Sequence, residues 1–228
     1  EGDVVLIHAC CHNPTGADLD PAQWQRLAQL LEHRRLVPFL DLAYQGFAVD
    51  LDADAACVRL ITERVPEALV AISFSKNLGL YRERVGALIT VGENAARADA
   101  AQSHVLQIAR GIYSMPPDHG AAIAARILAD AALRAEWIAE LAAMRTRISD
   151  MRGLLAQHLQ RVTGDASFDF LRTQRGMFSL LGVPGPAVER LRDEHHIYML
   201  PDSRMNLAGI TPASVGYVAD SIAAVRLG

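Results

Sequence analysis

Apolar and polar positions follow two different rhythms along this chain. Val4 to Ala9 is a short apolar run that ends in the polar turn His12-Asn13-Pro14-Thr15-Gly16, the pattern of a buried strand. Asp20-Pro21 then opens a helix, with Asp as N-cap and Pro at the first helical position. Trp24, Leu27, Leu30 and Leu31 recur along it at helical spacing. Val37 to Leu42 reads as a second strand, left through Tyr44-Gln45-Gly46. A helix is expected from Ala53 to Arg64, then strands from Ala68 to Phe74 and from Val85 to Val91. Strands alternating with helices predict an α/β architecture, a mostly parallel sheet with helices on both faces.

After Gly92 the rhythm changes. Glu93 to Ala109 reads as a helix, Pro116-Pro117 breaks it, and Gly120 to about Gly164 reads as nearly continuous helix. Trp137, Leu141, Met144, Ile148, Met151, Leu154 and Leu155 form one apolar stripe within that stretch. Short strands are expected near Phe168–Leu171, Met177–Leu181, Ile197–Leu200 and Met205–Ala208, with helices at Pro186–His195 and Pro212–Val225. That grammar is α+β. Two domains follow, residues 1–130 and residues 131–228, the second starting with the long helix.

Composition narrows the function. Of 228 residues 51% are hydrophobic and 21% charged, which excludes a disordered or fibrous chain. Lys and Arg number 22 against 26 Asp and Glu, a formal charge of −4, and no basic run appears. A nucleic-acid backbone would find little to bind. No apolar run reaches the ~18 residues of a membrane span, and nothing resembles a signal peptide, so a cytoplasmic protein is expected. Cys10 and Cys11 are adjacent and Cys57 stands alone, a spacing that suits buried free thiols better than a disulfide framework or metal site. Glu1 runs almost directly into a buried strand. The chain is therefore expected to start in mid-fold, as a fragment.

In open α/β sheets, ligands bind outside the carboxyl ends of the strands. The first three strands here end in Asn13, then Asp41 and Tyr44, then Ser73, Ser75 and Lys76. Any one of these is best explained alone as a turn residue or cap. Together they suit a ligand with a basic ring nitrogen, a phenolic oxygen and a phosphate. Lys76 leaves an apolar strand, where partial desolvation makes an amine more nucleophilic. Arg84, entering the next strand, offers a second anion contact. Other candidates are better explained structurally. Trp24 and Trp137 lie on apolar helical faces, His12 flanks a turn with His8, and the His195-His196 rings would diverge.

His8-Ala9-Cys10-Cys11-His12-Asn13-Pro14-Thr15-Gly16, Asp41-Leu42-Ala43-Tyr44-Gln45-Gly46-Phe47 and Ser73-Phe74-Ser75-Lys76-Asn77 resemble the signatures of class I pyridoxal-phosphate aminotransferases, in particular the aspartate and aromatic amino-acid branch. Leu80 to Gly86, Gln174 to Ser179 and Ser203 to Gly209 match the later motifs in order. The resemblance covers essentially the whole chain. It implies part of the family's large domain followed by a C-terminal α+β portion of its small domain, without the family's N-terminal half. It implies pyridoxal 5′-phosphate as cofactor, with Lys76 as Schiff-base lysine and proton shuttle and Asp41 against the pyridine nitrogen. Tyr44 and Asn13 would meet the ring oxygen, and Ser73, Ser75 and Arg84 the phosphate. Arg204 would take the substrate α-carboxylate, beside Asn13. Arg110 would reach a dicarboxylic side chain across the interface of a homodimer. Met115 departs from the small polar residue that the family leads one to expect. The ring-stacking aromatic and the main phosphate-cradling helix of the family have no counterpart in this chain.

The expected activity is ping-pong transamination between aromatic amino acids, or aspartate, and 2-oxoglutarate. The alternatives are aspartate aminotransferase proper, or a catalytically incompetent fragment that folds only with its missing half or a partner.

Overall fold

The computed structural model describes residues 2–227. They divide into two compact units. The first holds the chain up to Cys10 and Leu19–Leu141; the second holds Cys11–Asp18 and everything from Ala142 on.

The first unit is built on a four-stranded sheet in the order β1-β2-β3-β4, with β1 (Val4–His8), β2 (Val37–Leu42) and β3 (Ala68–Ser73) mutually parallel. β4 (Gly86–Val91) runs antiparallel to β3. The reason lies in the connection. Residues 74–85 contain no helix to carry a crossover, so the chain turns directly back. Side chains of β2 alternate, with Pro38, Leu40 and Leu42 buried. Between β1 and β2 runs α1 (Pro21–Arg34), and its N-terminus is closed as the sequence predicts. Asp20 accepts from the Gln23 N–H while the Gln23 side chain accepts from the Asp20 N–H, a capping box with Pro21 in the first turn. Trp24, Ala28 and Leu31 form its buried face. The helix expected from Ala53 starts as a 3₁₀ turn and becomes α2 (Ala56–Thr62).

Three further helices are α3 (Ala95–Tyr113), α4 (His119–Ala129) and α5 (Ala131–Thr163). The stretch expected to be continuous from Gly120 is thus interrupted. Asp130 adopts an extended backbone (φ −95, ψ 118), and its carboxylate accepts from the N–H groups of Ala132 and Leu133, capping α5. Leu141, Ile148, Met151 and Leu155 of the expected stripe are buried, but Met144 is 40% exposed. The division between the units falls inside α5.

The second unit holds a two-stranded antiparallel ribbon, β5 (Phe178–Leu180) with β6 (Arg204–Asn206), and the helices α6 (Phe170–Thr173), α7 (Gly185–His195) and α8 (Val215–Leu227). Leu155, Leu159, Leu171, Leu191, Leu207 and Ile222 make its fully buried core. Two expected strands are absent. Phe168 and Leu171 are buried three residues apart, so their segment turns into α6. Ile197–Leu200 follows the left-handed cap at His196, with Tyr198 and Leu200 exposed, and pairs with neither strand of the ribbon. Among the described residues, no helix is long and apolar enough to cross a membrane.

Candidate active site

Because β1, β2 and β3 are parallel, their carboxyl ends share one edge of the sheet of the first unit. Asp41, next to last in β2, lies in register with His8 of β1, and their side chains approach to 4.0 Å (Nε2 to Oδ2). Tyr44 follows β2 and is only 5% exposed. The loop it opens turns at Gly46, whose φ of +94 and crowding by the Leu141 side chain exclude a Cβ. Asp54 holds this loop from below. Its buried carboxylate accepts from the N–H groups of Gly46, Ala48 and Val49 at 2.8–2.9 Å. Burial raises the Asp54 pKa, and those backbone N–H groups pull the other way.

Lys76 lies three residues past β3, with its ammonium 5.0 Å from the centroid of the Tyr44 ring. Ser73 ends β3 and accepts from the Ser75 N–H at 3.2 Å; Ser75 itself is buried. Asn77 is 2% exposed, and its side-chain N–H reaches the Gln45 carbonyl at 3.4 Å. The Trp137 indole N–H donates to the Asn77 carbonyl at 2.6 Å. The lysine loop is therefore pinned on both sides, to the tyrosine loop and to α5. Arg84 is exposed, with φ +50, and donates to the Tyr81 carbonyl at 3.0 Å. Arg110 is exposed in the last turn of α3.

The second unit assembles a smaller group. Arg204, which opens β6, donates from Nη1 to Asn13 Oδ1 at 2.9 Å, and its guanidinium lies 5.4 Å from the Phe178 ring centroid. Asn13 sits in a turn fastened by Asp18, whose carboxylate accepts from the N–H groups of Cys11 and His12. His12 bonds Thr15 at 2.8 Å, consistent with a structural role. Cys10, Cys11 and Cys57 are buried and form no disulfide among the described residues, and the Cys57 thiol donates to the Ala9 carbonyl at 3.3 Å.

The candidates Asp41, Tyr44, Ser73, Ser75 and Lys76 thus gather at one strand edge, and Asn13 pairs with Arg204. Arg84 and Arg110 bond none of these side chains among the described residues. The sequence does not reveal the supporting roles of Asp54, of Trp137 (expected only as core) or of Arg152, a buried guanidinium in the second unit. Only Trp137 left a usable signal, since a buried indole N–H needs an acceptor. A further signal lies in the composition. Lys76 is the one lysine in the chain, whose other 21 Lys/Arg positions are all arginine.

A sheet edge that gathers a lysine amine, a carboxylate, a phenol and two serines marks an α/β protein with a lysine-centred candidate site. The chain belongs to the family described as aminotransferase class I and II, whose model matches residues 1–222. It is 48% identical over 225 residues to an aspartate aminotransferase of Haemophilus influenzae, covering 99% of this chain and 57% of that protein. An aromatic-amino-acid aminotransferase of Paracoccus denitrificans is 46% identical over 222 residues, covering 97% and 56%. Among solved structures, it resembles an aromatic-amino-acid aminotransferase from Burkholderia pseudomallei covalently bound to pyridoxal phosphate. The TM-score is 0.95 and the identity 45%, over 99% of this chain and 56% of that one. The chain thus spans a little over half the length of these relatives.

Proposed function

We propose that this chain carries the lysine-centred part of a pyridoxal-phosphate aminotransferase. The complete enzyme would exchange the amino group of aromatic amino acids and aspartate with 2-oxoglutarate in ping-pong half-reactions, as a cytoplasmic homodimer. The observation that carries the reading is the sole lysine, held over the Tyr44 ring at the strand edge that Asp41 shares. Relatives named for aspartate and for aromatic amino acids match almost equally well, which supports both substrate classes.

The donor set fits the cofactor. An amine suits its carbonyl carbon, a carboxylate its ring nitrogen, a phenol and an amide its ring oxygen, and hydroxyls with a guanidinium its phosphate. Pyridoxal phosphate, when bound, supplies an electron sink for negative charge at the substrate α-carbon. Lys76 Nζ would hold the cofactor at its carbonyl carbon and, as a free amine, would carry a proton to and from the substrate α-carbon. Asp41 keeps a proton on the ring nitrogen, which a neutral side chain would do poorly. Tyr44 and Asn13 donate to the ring oxygen. Ser73, Ser75 and Arg84 bind the phosphate, Arg84 through the fork that suits oxyanions. Arg204 binds the α-carboxylate, assisted by Asn13. Arg110 would bind a second carboxylate from the neighbouring protomer, and the apolar Met115 would either relax the demand for one or only repack the interface.

The test uses the chain's single lysine. Pyridoxal phosphate is added, the mixture is reduced with borohydride, and peptides are mapped by mass. The expected result is a saturable adduct on the peptide that contains Lys76, absent from Lys76→Arg. Labelling confined to the N-terminal amine would overturn the assignment.

A further inference from the structure

Arg152 is 3% exposed and forms no ion pair among the described residues. Its guanidinium is satisfied instead by one short stretch of chain. Nε donates to the Gly176 carbonyl at 2.9 Å, and Nη2 to the carbonyls of Gly176 and Phe178 at 2.6 Å and of Arg175 at 3.1 Å. Nη1 donates to Ser179 Oγ at 2.7 Å and lies 3.5 Å from the Leu171 carbonyl. Burial pulls the Arg152 pKa down to about 10 against the nearby Cys11 and Asp18, so the site carries a desolvation cost. An apolar side chain of similar volume would fill this space without that cost. What only a guanidinium supplies is a rigid fork that fixes several acceptors at once.

Two routes lead from this fork to the same place. Along the first, Phe178 and Ser179 belong to β5, whose register sets Leu180 opposite Arg204, Ser179 opposite Met205 and Phe178 opposite Asn206. Holding the Phe178 carbonyl and Ser179 hydroxyl fixes β5, hence the start of β6, and sets the Phe178 ring beside the Arg204 guanidinium. Along the second, the turn carrying Asn13 closes against the fork. At Gly16, φ +71, a Cβ would stand 3.0 Å from Arg152 Nη2 and 2.5 Å from the Phe178 carbonyl oxygen, and the Gly16 carbonyl accepts from the Arg175 N–H at 2.7 Å. The routes meet in the bond from Arg204 Nη1 to Asn13 Oδ1.

We infer that Arg152 is a positioning residue for substrate recognition: it holds β5 and the Asn13 turn in the one arrangement that aims Arg204 at a carboxylate. This rests on the reading above, in which Arg204 binds the substrate α-carboxylate. A lysine at position 152 has three N–H donors without a planar fork and cannot serve the same acceptors. Arg152→Lys therefore frees β5 from the turn, and Arg204 loses its fixed orientation although it remains in place.

The experiment reads Arg204 directly in the full chain. In a ¹⁵N spectrum, the Arg204 Nε–Hε signal is assigned by its loss in Arg204→Ala, and is expected away from the free-arginine position. In Arg152→Lys it moves to that position, and calorimetric affinity for succinate falls about tenfold, the equivalent of one lost charge-assisted hydrogen bond. Ser179→Ala, which removes one acceptor of the fork, shifts both readouts in the same direction by a smaller amount and covers the case in which Arg152→Lys does not fold. Leu191→Ala, in the core of the same unit, lowers Tm but moves neither readout. An unmoved Arg204 signal in Ser179→Ala, and in folded Arg152→Lys, overturns the inference, as does an equal shift in Leu191→Ala. The underlying reading fails separately, if Arg204→Ala binds succinate as tightly as the unaltered chain.

Discussion

Replacing Asp54 by Asn changes one atom in the clamp that holds the Tyr44 loop. The carboxylate accepts from Gly46 and Ala48 through Oδ2 and from Val49 through Oδ1. Asparagine can place its single oxygen at Oδ2 and keep two of those bonds. Its NH₂ then faces the Val49 N–H, donor against donor. The buried Val49 N–H left without an acceptor costs about 1–3 kcal/mol, part of which the neutral amide offsets by escaping carboxylate desolvation. The net loss should be about 1–2 kcal/mol. It should appear as roughly tenfold faster amide hydrogen exchange at Val49, where local opening is read directly. The sign of the pH dependence is also determined. Burial raises the Asp54 pKa, so its contribution to stability is complete below the ordinary carboxyl value and declines as pH rises through the folded-state value. Urea unfolding of the two proteins should therefore show a gap that narrows from about pH 4 upward. A gap that widens with pH would refute the reasoning, because the three N–H bonds would then outweigh burial.

Two further outcomes follow from the proposed chemistry. Asp41→Asn should slow proton removal in single-turnover experiments by about 10²-fold or more while leaving cofactor retention nearly intact; a near-normal rate would reduce Asp41 to a strand-end cap. Arg204→Ala should depress kcat/KM for every amino acid, whereas Arg110→Ala should depress it about 10²-fold for aspartate and 2-oxoglutarate and spare phenylalanine and tyrosine. Equal losses for aspartate and tyrosine in Arg110→Ala would remove its assignment to the second carboxylate.

The elements that the sequence determined by itself are those whose cause is local. Asp20, Pro21 and Gln23 close the start of α1 through bonds within four residues. The apolar runs of β1, β2 and β3 specify strands wherever they pack, and their parallel order brings Asp41, Tyr44, Ser73 and Lys76 to one edge. The grouping of these candidates was therefore legible, because they stand at strand ends and in short motifs. Tertiary structure decided what depends on distant partners. β4 reverses because its connection builds no crossover helix, and Phe168 to Leu171 coils so that both end residues are buried, a period that a segment this short does not display in the sequence. Residues 11–18 join the second unit although they sit between strands of the first, since Arg175 and Asp18 close their turn. Asp54 and Arg152 look ordinary in the sequence, and Trp137 reads there only as a core residue. Each acquires its role from backbone groups that packing brings to it, and no local pattern encodes which carbonyl or N–H will arrive.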